Sequence, residues 1–488
     1  MSRKTTIGHE AVRLTVSKVV TLTISMINSM LLARFRTLEE YGTYSQLLLV
    51  TSLVTSLLML GLPNSINFFL ARAETDEEKR RFTSVYYTFS TILSLIIGAS
   101  LVLSVPLIEM YFHNSAISKF YYFLALYPWA HIISSSIEHI LVVFQRTNYL
   151  IYFRLFHSVA MLGSVAVVQW LGFGFNTYMI AFIAINSIFA ILVYFVAHKL
   201  NSGIYISLEK NIVKSILSFS IPIGLATVVG TLNTEIDKLL IGYLMDTEQM
   251  AIYTNAAKEL PLTIVGASIT TVLLPQMSLL LKQNKEKSAI KLWNVATELS
   301  LIIVAVMVCG VFTYAEDVMT FLYSEKYLPG ISVFRIYTLN LLMRITYFGI
   351  VLNASGETKK IFICSIISLV LNSILNPIFY FAFGMIGPAL ATFLAILLVL
   401  ILQIIMTTRV VKIQFTSIFP WKSIFHILII NICFSFVFYY VKQLLPIDKT
   451  IGSLLESILL GIIWLLFYFM LMKKKIVNNW EQLNKGSE

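Results

Sequence analysis

Charge is scarce in this chain. Only 12% of its 488 residues are Asp, Glu, Lys or Arg, against about 25% in an ordinary soluble domain. Cysteine is scarcer: Cys309, Cys364 and Cys433 all fall within apolar runs, which excludes a disulfide framework and a CxxC metal site. No Walker A glycine loop occurs, so ATP is not the direct energy source. No nucleophile elbow and no HExxH occurs either, and the chain is expected not to be an enzyme. No loop is long enough for a soluble domain; the longest polar stretch, 198–214, reads as a connector. No cleavable signal stands out, because the first apolar run is too long and leads directly into a second.

Apolar residues fill the space that charge leaves, at 58%. A spanning helix needs about 20 apolar residues, because each rises about 1.5 Å across a hydrocarbon core of about 30 Å. Inside lipid the backbone must satisfy itself, which leaves helices or closed barrels. Long apolar runs without strict alternation exclude the barrel. The expected fold is an all-α polytopic membrane protein of fourteen transmembrane helices. The spans fall at 11–33, 43–71, 83–108, 119–144, 150–171, 176–197, 215–245, 250–281, 289–314, 331–353, 360–382, 384–408, 420–441 and 452–472.

Counting spans from a cytoplasmic N-terminus leaves the outer connections with only Arg34, Arg36, Lys119, Lys326, Lys442 and Lys449. Lys18, Lys238, Lys258, Arg335 and Arg344 lie within spans, and every other basic residue falls in a cytoplasmic segment. The positive-inside rule then puts both termini in the cytoplasm. The net charge of +11 is spread over short loops. It forms no basic domain, and nucleic acid is not expected as a partner. The mixed-sign stretch from Glu74 to Arg81 reads as a solvated cytoplasmic turn.

An internal repeat is visible. LEEYGTYSQLLLV and LMLGLPNSINFFLAR follow the first span; TEQMAIYTNAAKEL and TVLLPQMSLLL follow the seventh. Tyr44 aligns with Tyr253, and Pro63 roughly with Pro275. Both copies begin at an outward loop, so the repeats run parallel, in a pseudo-two-fold relation. The expected division is an N-terminal lobe of six spans at 1–200, a connector at 201–214, and a second six-span lobe at 215–408. Two added spans and a cytoplasmic tail occupy 409–488.

These segments also carry a family resemblance, together with FSIPIGLATVVGTLNTEIDKLLIGYL, FRIYTLNLLMRITYFGIVLNASGETKK and GMIGPALATFLA. Over residues 8–408 the chain resembles the polysaccharide-biosynthesis, O-antigen flippase branch of the multidrug/oligosaccharidyl-lipid/polysaccharide exporter superfamily. Ser324, in TFLYSEKYLPG, stands where relatives usually have glycine. The resemblance implies flipping of an undecaprenyl-pyrophosphate-linked oligosaccharide from the cytoplasmic to the outer leaflet, for O-antigen, capsule or exopolysaccharide synthesis. It implies alternating access driven by an ion gradient or the membrane potential. It implies a bacterial cytoplasmic membrane location among membrane lipids, with a polysaccharide polymerase and a chain-length regulator as partners. No cofactor is expected beyond Na⁺ or H⁺ as coupling ion.

Charged groups within spans are functional candidates by default. A substrate-binding set of Lys18, Arg34, Arg72, Lys258 and Arg344 could hold a pyrophosphate, whose charge needs cationic partners in low dielectric. Arginine suits it through its bidentate fork; Arg34 and Arg72 also read as side chains snorkelling at helix ends. Lys18 is expected about 10 Å inside the first span. Arg344 and Glu298, both near mid-span, could instead pair with each other. A coupling-ion set comprises Asp237, Asn372, Asn376 and Thr392. Asn372 and Asn376 share a helix face, and oxygens at matched depth on three helices could hold Na⁺. The resemblance to lipid II flippases, where these helices hold sodium, sharpens that reading, although Asn376 occupies what is typically a carboxylate position. The alternatives are interhelical hydrogen bonds from the two asparagines and pairing of Asp237 with Lys238 or Lys258. Glu138 and His139, near His131 and His157, could relay protons or line a wet cavity; their spacing gives no metal site. Pro63, Pro222, Pro261, Pro275 and Pro377 lie in or near spans, where proline removes a hydrogen bond and permits bending.

Other functions compete. A lipid II flippase or cation-coupled multidrug exporter would share the fold, the exporter with an acidic cavity. A glycan-assembly glycosyltransferase or polymerase would need a large outer loop with catalytic residues, and the outer loops here are short.

Overall fold

A computed structural model of the chain describes residues 2–59, 61–445 and 452–485. The described residues are predominantly helical, without a strand. Packing divides the chain into two compact units, Met1–Ala251 and Ile252–Glu488.

The first unit contains α1 (Ser2–Phe35), α2 (Leu38–Met59), α3 (Leu62–Leu70), α4 (Asp76–Leu103), α5 (Val105–Phe112), α6 (Tyr121–Val143), α7 (Thr147–Trp170), α8 (Phe175–Leu200) and α9 (Lys210–Leu244). Local chemistry sets the helix starts. Thr37 and Glu40 cap α2 reciprocally, each side chain accepting from the other's backbone N–H at 3.1 Å. Thr75 and Glu78 form the same box at the start of α4. The expected turn at Glu74–Arg81 is therefore helical from Asp76 onward, because the capping threonine outweighs the polarity of the segment. The expected second span breaks at Gly61, whose φ of 69° suits a residue without Cβ. A Cβ there would lie 3.0 Å from the Gly224 backbone N on α9, so the break packs close against that helix. Leu62 and Ile66 of α3 join Val85 and Tyr86 of α4, Ile133 of α6 and Val193 of α8 in a buried core.

The seventh expected span, α9, packs with α2, α3, α4 and α5 in this unit, whereas the sequence reading grouped it with the second half. The connector lies along α4: Ser84 Oγ and Thr88 Oγ1 accept from the Tyr205 and Ser207 backbones, both at 3.1 Å. Arg81 grips Glu209 through Nε at 2.7 Å, which holds the Glu209 carboxyl below its usual range.

α10 (Thr247–Ala256) crosses the division. The second unit continues with α11 (Ile264–Lys282), α12 (Glu286–Thr313), α13 (Ala315–Tyr323), α14 (Ile331–Asn340), α15 (Ile350–Ala354), α16 (Thr358–Phe383), α17 (Ile386–Val411), α18 (Phe415–Ile418), α19 (Trp421–Leu444) and α20 (Ser453–Lys485). Met277, Trp293, Ile350, Ile404 and Ile418 form its core. The element order repeats. α4 and α12 have 28 residues each, followed by short helices of 8 and 9 residues and then 3₁₀ turns of 6 residues each. Pro63 opens α3 after the Gly61 break, and Pro261 opens the 3₁₀ turn after α10 in the same way. Pro275 lies inside α11 instead, so Pro261 is the better counterpart of Pro63.

Eleven helices among the described residues are long and apolar enough to cross a membrane. Of the other expected spans, the fourth (α6) carries His131, Glu138, His139 and three serines. The eighth and tenth are interrupted: α10 and α11 are separated at 257–263, and α14 and α15 at 341–349.

Two outcomes follow from this architecture. Ser324 has a φ of 81°, a region that L side chains avoid, so Ser324→Gly is expected to stabilise the chain by about 1 kcal/mol; an unchanged or lower thermal midpoint would refute it. Because the Glu209 pKa is depressed, its clamp on the connector is complete above the unfolded carboxyl pKa. It is lost as pH falls through the depressed value. Hydrogen exchange over 201–209, taken relative to the intrinsic rate at each pH, should therefore rise on acidification in wild type, and be raised already at neutral pH in Glu209→Gln.

Candidate functional site

The five expected substrate cations do not form one cluster. Lys18 and Arg34 are both exposed on α1. They are 16 positions apart, or about 24 Å along the helix. The helix runs from Ser2 to Phe35, so it begins before the expected span start at residue 11, and Lys18 lies within it. Arg72 follows the last turn of α3, exposed, with its guanidinium 3.8 Å from the centre of the Phe68 ring. Phe68 in turn stacks on Phe219 of α9 at 4.3 Å.

The second unit does bring charge together, at its two helix breaks. Lys258 and Glu259 lie in the irregular segment between α10 and α11. Arg344 ends a 3₁₀ turn after α14 and pairs with Glu259 at 2.8 Å. The breaks also touch through backbone: a Cβ on Gly266 would lie 2.5 Å from the Ile345 carbonyl oxygen. Beside them opens a cavity of about 490 Å³, lined by Thr270, Arg344, Tyr347 and Gln403 among others. Discontinuous helices meeting at depth are a common way for transporters to expose polar backbone and charge to a ligand. Glu259 was not singled out in the sequence; an acid beside a lysine, two residues before Pro261 in an apolar stretch, was the available signal.

Arg344 and Glu298 do not pair, contrary to the alternative raised for them. Glu298 on α12 meets Lys475 of α20 at 2.6 Å, and Ser423 of α19 donates to the same carboxylate. The break after Asn340 carries Arg344 to Glu259 instead. A matching node forms at the other end of these helices. Asp317 on α13 receives Lys442 of α19, with Ser453 and Ser457 of α20. Sequence reading missed this node, because Lys442 and Asp317 each look like ordinary loop charges.

Among the expected ion ligands, Asn372, Asn376 and Thr392 are buried on α16 and α17. Thr392 donates to Asn372 Oδ1 at 3.5 Å. Both amide atoms of Asn376 are buried without a hydrogen-bond partner among the described residues. Asp237 is buried in the first unit and accepts from the Lys238 backbone at 2.8 Å. The Lys238 ammonium goes to Glu235, at 2.8 Å, rather than to Asp237.

Glu138 and His139 turn to different partners. Glu138 pairs with Arg154 on α7, and His139 Nδ1 hydrogen-bonds Asn67 of α3 at 2.8 Å. His157 bonds Asn186 at 3.2 Å. Among the described residues no group of His, Cys, Asp and Glu could hold a metal ion.

Comparison with known proteins bears on what these groups serve. The family model for polysaccharide biosynthesis proteins matches residues 31–332. A probable lipid II flippase MurJ of Rickettsia prowazekii is 24% identical over 196 residues, 38% of this chain and 38% of the relative. A probable low-salt glycan biosynthesis flippase, Agl15 of Haloferax volcanii, is 22% identical over 57% of this chain and 61% of the relative. The chain thus spans less than two thirds of the length of either relative. A solved lipid II flippase MurJ, in an inward closed conformation, shares the fold with a TM-score of 0.71 at 19% identity, over 95% of this chain and 100% of that one. An inward-facing multidrug resistance MATE family transporter gives 0.64 at 15% identity, over 83% and 99%.

The Asp317 node yields a stability test. Its carboxylate and the Lys442 ammonium are 10% and 21% exposed, so Asp317→Ala should leave a largely buried, unpaired cation and cost about 3 kcal/mol. The double variant with Lys442→Met should recover most of the loss in thermal midpoint. An Asp317→Ala protein as stable as wild type would show that the node contributes nothing.

Proposed function

The chain belongs to the family of polysaccharide biosynthesis proteins, and from that premise we propose that it flips a lipid-linked oligosaccharide across the cytoplasmic membrane of a bacterium. The cargo is an undecaprenyl-pyrophosphate-linked unit for O-antigen, capsule or exopolysaccharide synthesis, moved from the cytoplasmic to the outer leaflet. The observation that carries the reading is the meeting of two interrupted helices, with Lys258, Glu259 and Arg344 at the breaks beside a cavity. A pyrophosphate entering that region offsets its lost hydration only against fixed cations. Glu259 holds Arg344 in place until the anion competes for it. The same arrangement suits no uncharged cargo as well, and a cationic drug less well still.

Alternating access with both termini cytoplasmic fits the distribution of basic residues. Na⁺ is the proposed coupling ion, with Asn372, Asn376 and Thr392 supplying oxygens, as hard cations require. The orphaned amide of Asn376 is the feature that favours a ligand there. H⁺ carried by Asp237 is the competing coupling. The match to the Rickettsia relative supports lipid II as a second cargo. A polymerase and a chain-length regulator would receive the flipped unit.

The test is flipping of a fluorescent undecaprenyl-pyrophosphate oligosaccharide in proteoliposomes, with Na⁺, H⁺ and potential varied separately. Arg344→Gln removes a charge-assisted hydrogen bond worth about 1.5–3 kcal/mol, so transport should slow about 10- to 100-fold. Lys18→Ala removes an exposed cation and should have the smaller effect. Asn376→Ala should abolish a Na⁺ dependence, and Asp237→Asn an H⁺ dependence. Folded wild type that expels cationic dyes and moves no lipid-linked glycan would sink the flippase reading.

A further inference from the structure

One intramembrane cation is used by none of this. Arg335 lies on the second turn of α14, and its Nε is buried without a hydrogen-bond partner. Among the described residues no acid pairs with it. Its one contact of note is the Phe312 ring, 5.7 Å from the guanidinium carbon. The side chain lines a cavity of about 470 Å³ between the end of α12, α14 and α19, within the range of about 300–1,000 Å³ usual for small-molecule sites. The lining is otherwise mostly apolar, with Cys309, Phe312 and Phe436 among it. Thr313, Ser435 and Tyr439 bring hydroxyls. The cavity opens along the outward face of α19, where Ile432 is 50% and Phe436 63% exposed.

A guanidinium held against hydrocarbon is costly unless an anion or water meets it. The apolar lining and the exposed face of α19 call for hydrocarbon chains. The orphaned Nε calls for an acceptor that can engage a guanidinium edge, and phosphate oxygens do so in pairs. We propose that this cavity binds an anionic membrane phospholipid, with its phosphate on Arg335 and an acyl chain laid along α19. The site is separate from the Arg344 cavity and does not depend on what the chain transports. In the orientation argued above, it belongs to the outer leaflet.

Native mass spectrometry of the purified full chain, titrated with phosphatidylglycerol or phosphatidylethanolamine, tests this. Wild type should retain one phosphatidylglycerol more tightly than phosphatidylethanolamine. Arg335→Gln should weaken that binding about fivefold, the worth of one cation near a lipid phosphate, and Arg335→Lys should keep most of it. Ser435→Phe fills the cavity and leaves the charge intact, so it should weaken binding as well, and it tests the proposal even if Arg335→Gln fails to fold. Equal retention of the two lipids, or phosphatidylglycerol binding untouched by Ser435→Phe, would overturn the proposal. So would a dimer in the same spectra that Arg335→Gln dissolves, because a second copy would then be the occupant.

Discussion

A helix interrupted inside hydrocarbon releases backbone N–H and C=O groups, and each one left unpaired costs several kcal/mol. Among the described residues, the breaks at Gly61 and at 341–349 are accordingly packed against protein. Gly61 is pressed against the backbone of Gly224. Gly266 admits the carbonyl of Ile345 to a distance no side chain would allow. Trp293 reaches from α12 to donate to Thr346 at 2.9 Å, inside the interrupted tenth span. The placement of charge follows from the same constraint. Glu259 and Arg344 sit where the backbone is already irregular, so that one protected region serves both needs.

The fold was legible because the bilayer imposes one rule on many residues. Apolar length alone located most of the spans, and an apolar run differs from a loop over twenty positions. The breaks were less legible, because each depends on a few residues. Pro63 and Pro261 were visible, but only the backbone geometry distinguishes them from Pro275, which a helix tolerates in its interior. Ser324 is the instructive single residue. Its departure from glycine could be seen in the sequence, while the positive φ that makes the departure matter could not.

The site was legible as a list of residues and not as an arrangement. Lys18, Arg34, Arg72, Lys258 and Arg344 have similar chemistry in the sequence. In the structure two lie 16 positions apart on one helix, one rests on an aromatic ledge and two lie at breaks. Partner choice was the least readable property. Glu298 and Arg344 lie at comparable positions in their spans, yet a bend of a few residues after Asn340 sends one to Lys475 and the other to Glu259. Asn372 and Thr392 meet across the α16–α17 pair, since a hairpin of two equal helices preserves depth.

The nodes at Glu298 and Asp317 are 19 residues apart, about 28 Å along α12 and α13, close to the thickness of the hydrocarbon core. Each ties both α19 and α20 to that column. The terminal hairpin is therefore a splint, fixed at both ends and slack at neither. A splinted column resists bending along its length, and both of its fastenings hold a carboxylate that is mostly buried. Any motion that flexes the second unit must pass around α12 or break a fastening. The breaks at 257–263 and 341–349 then become its compliant joints, and α12 its stiff member.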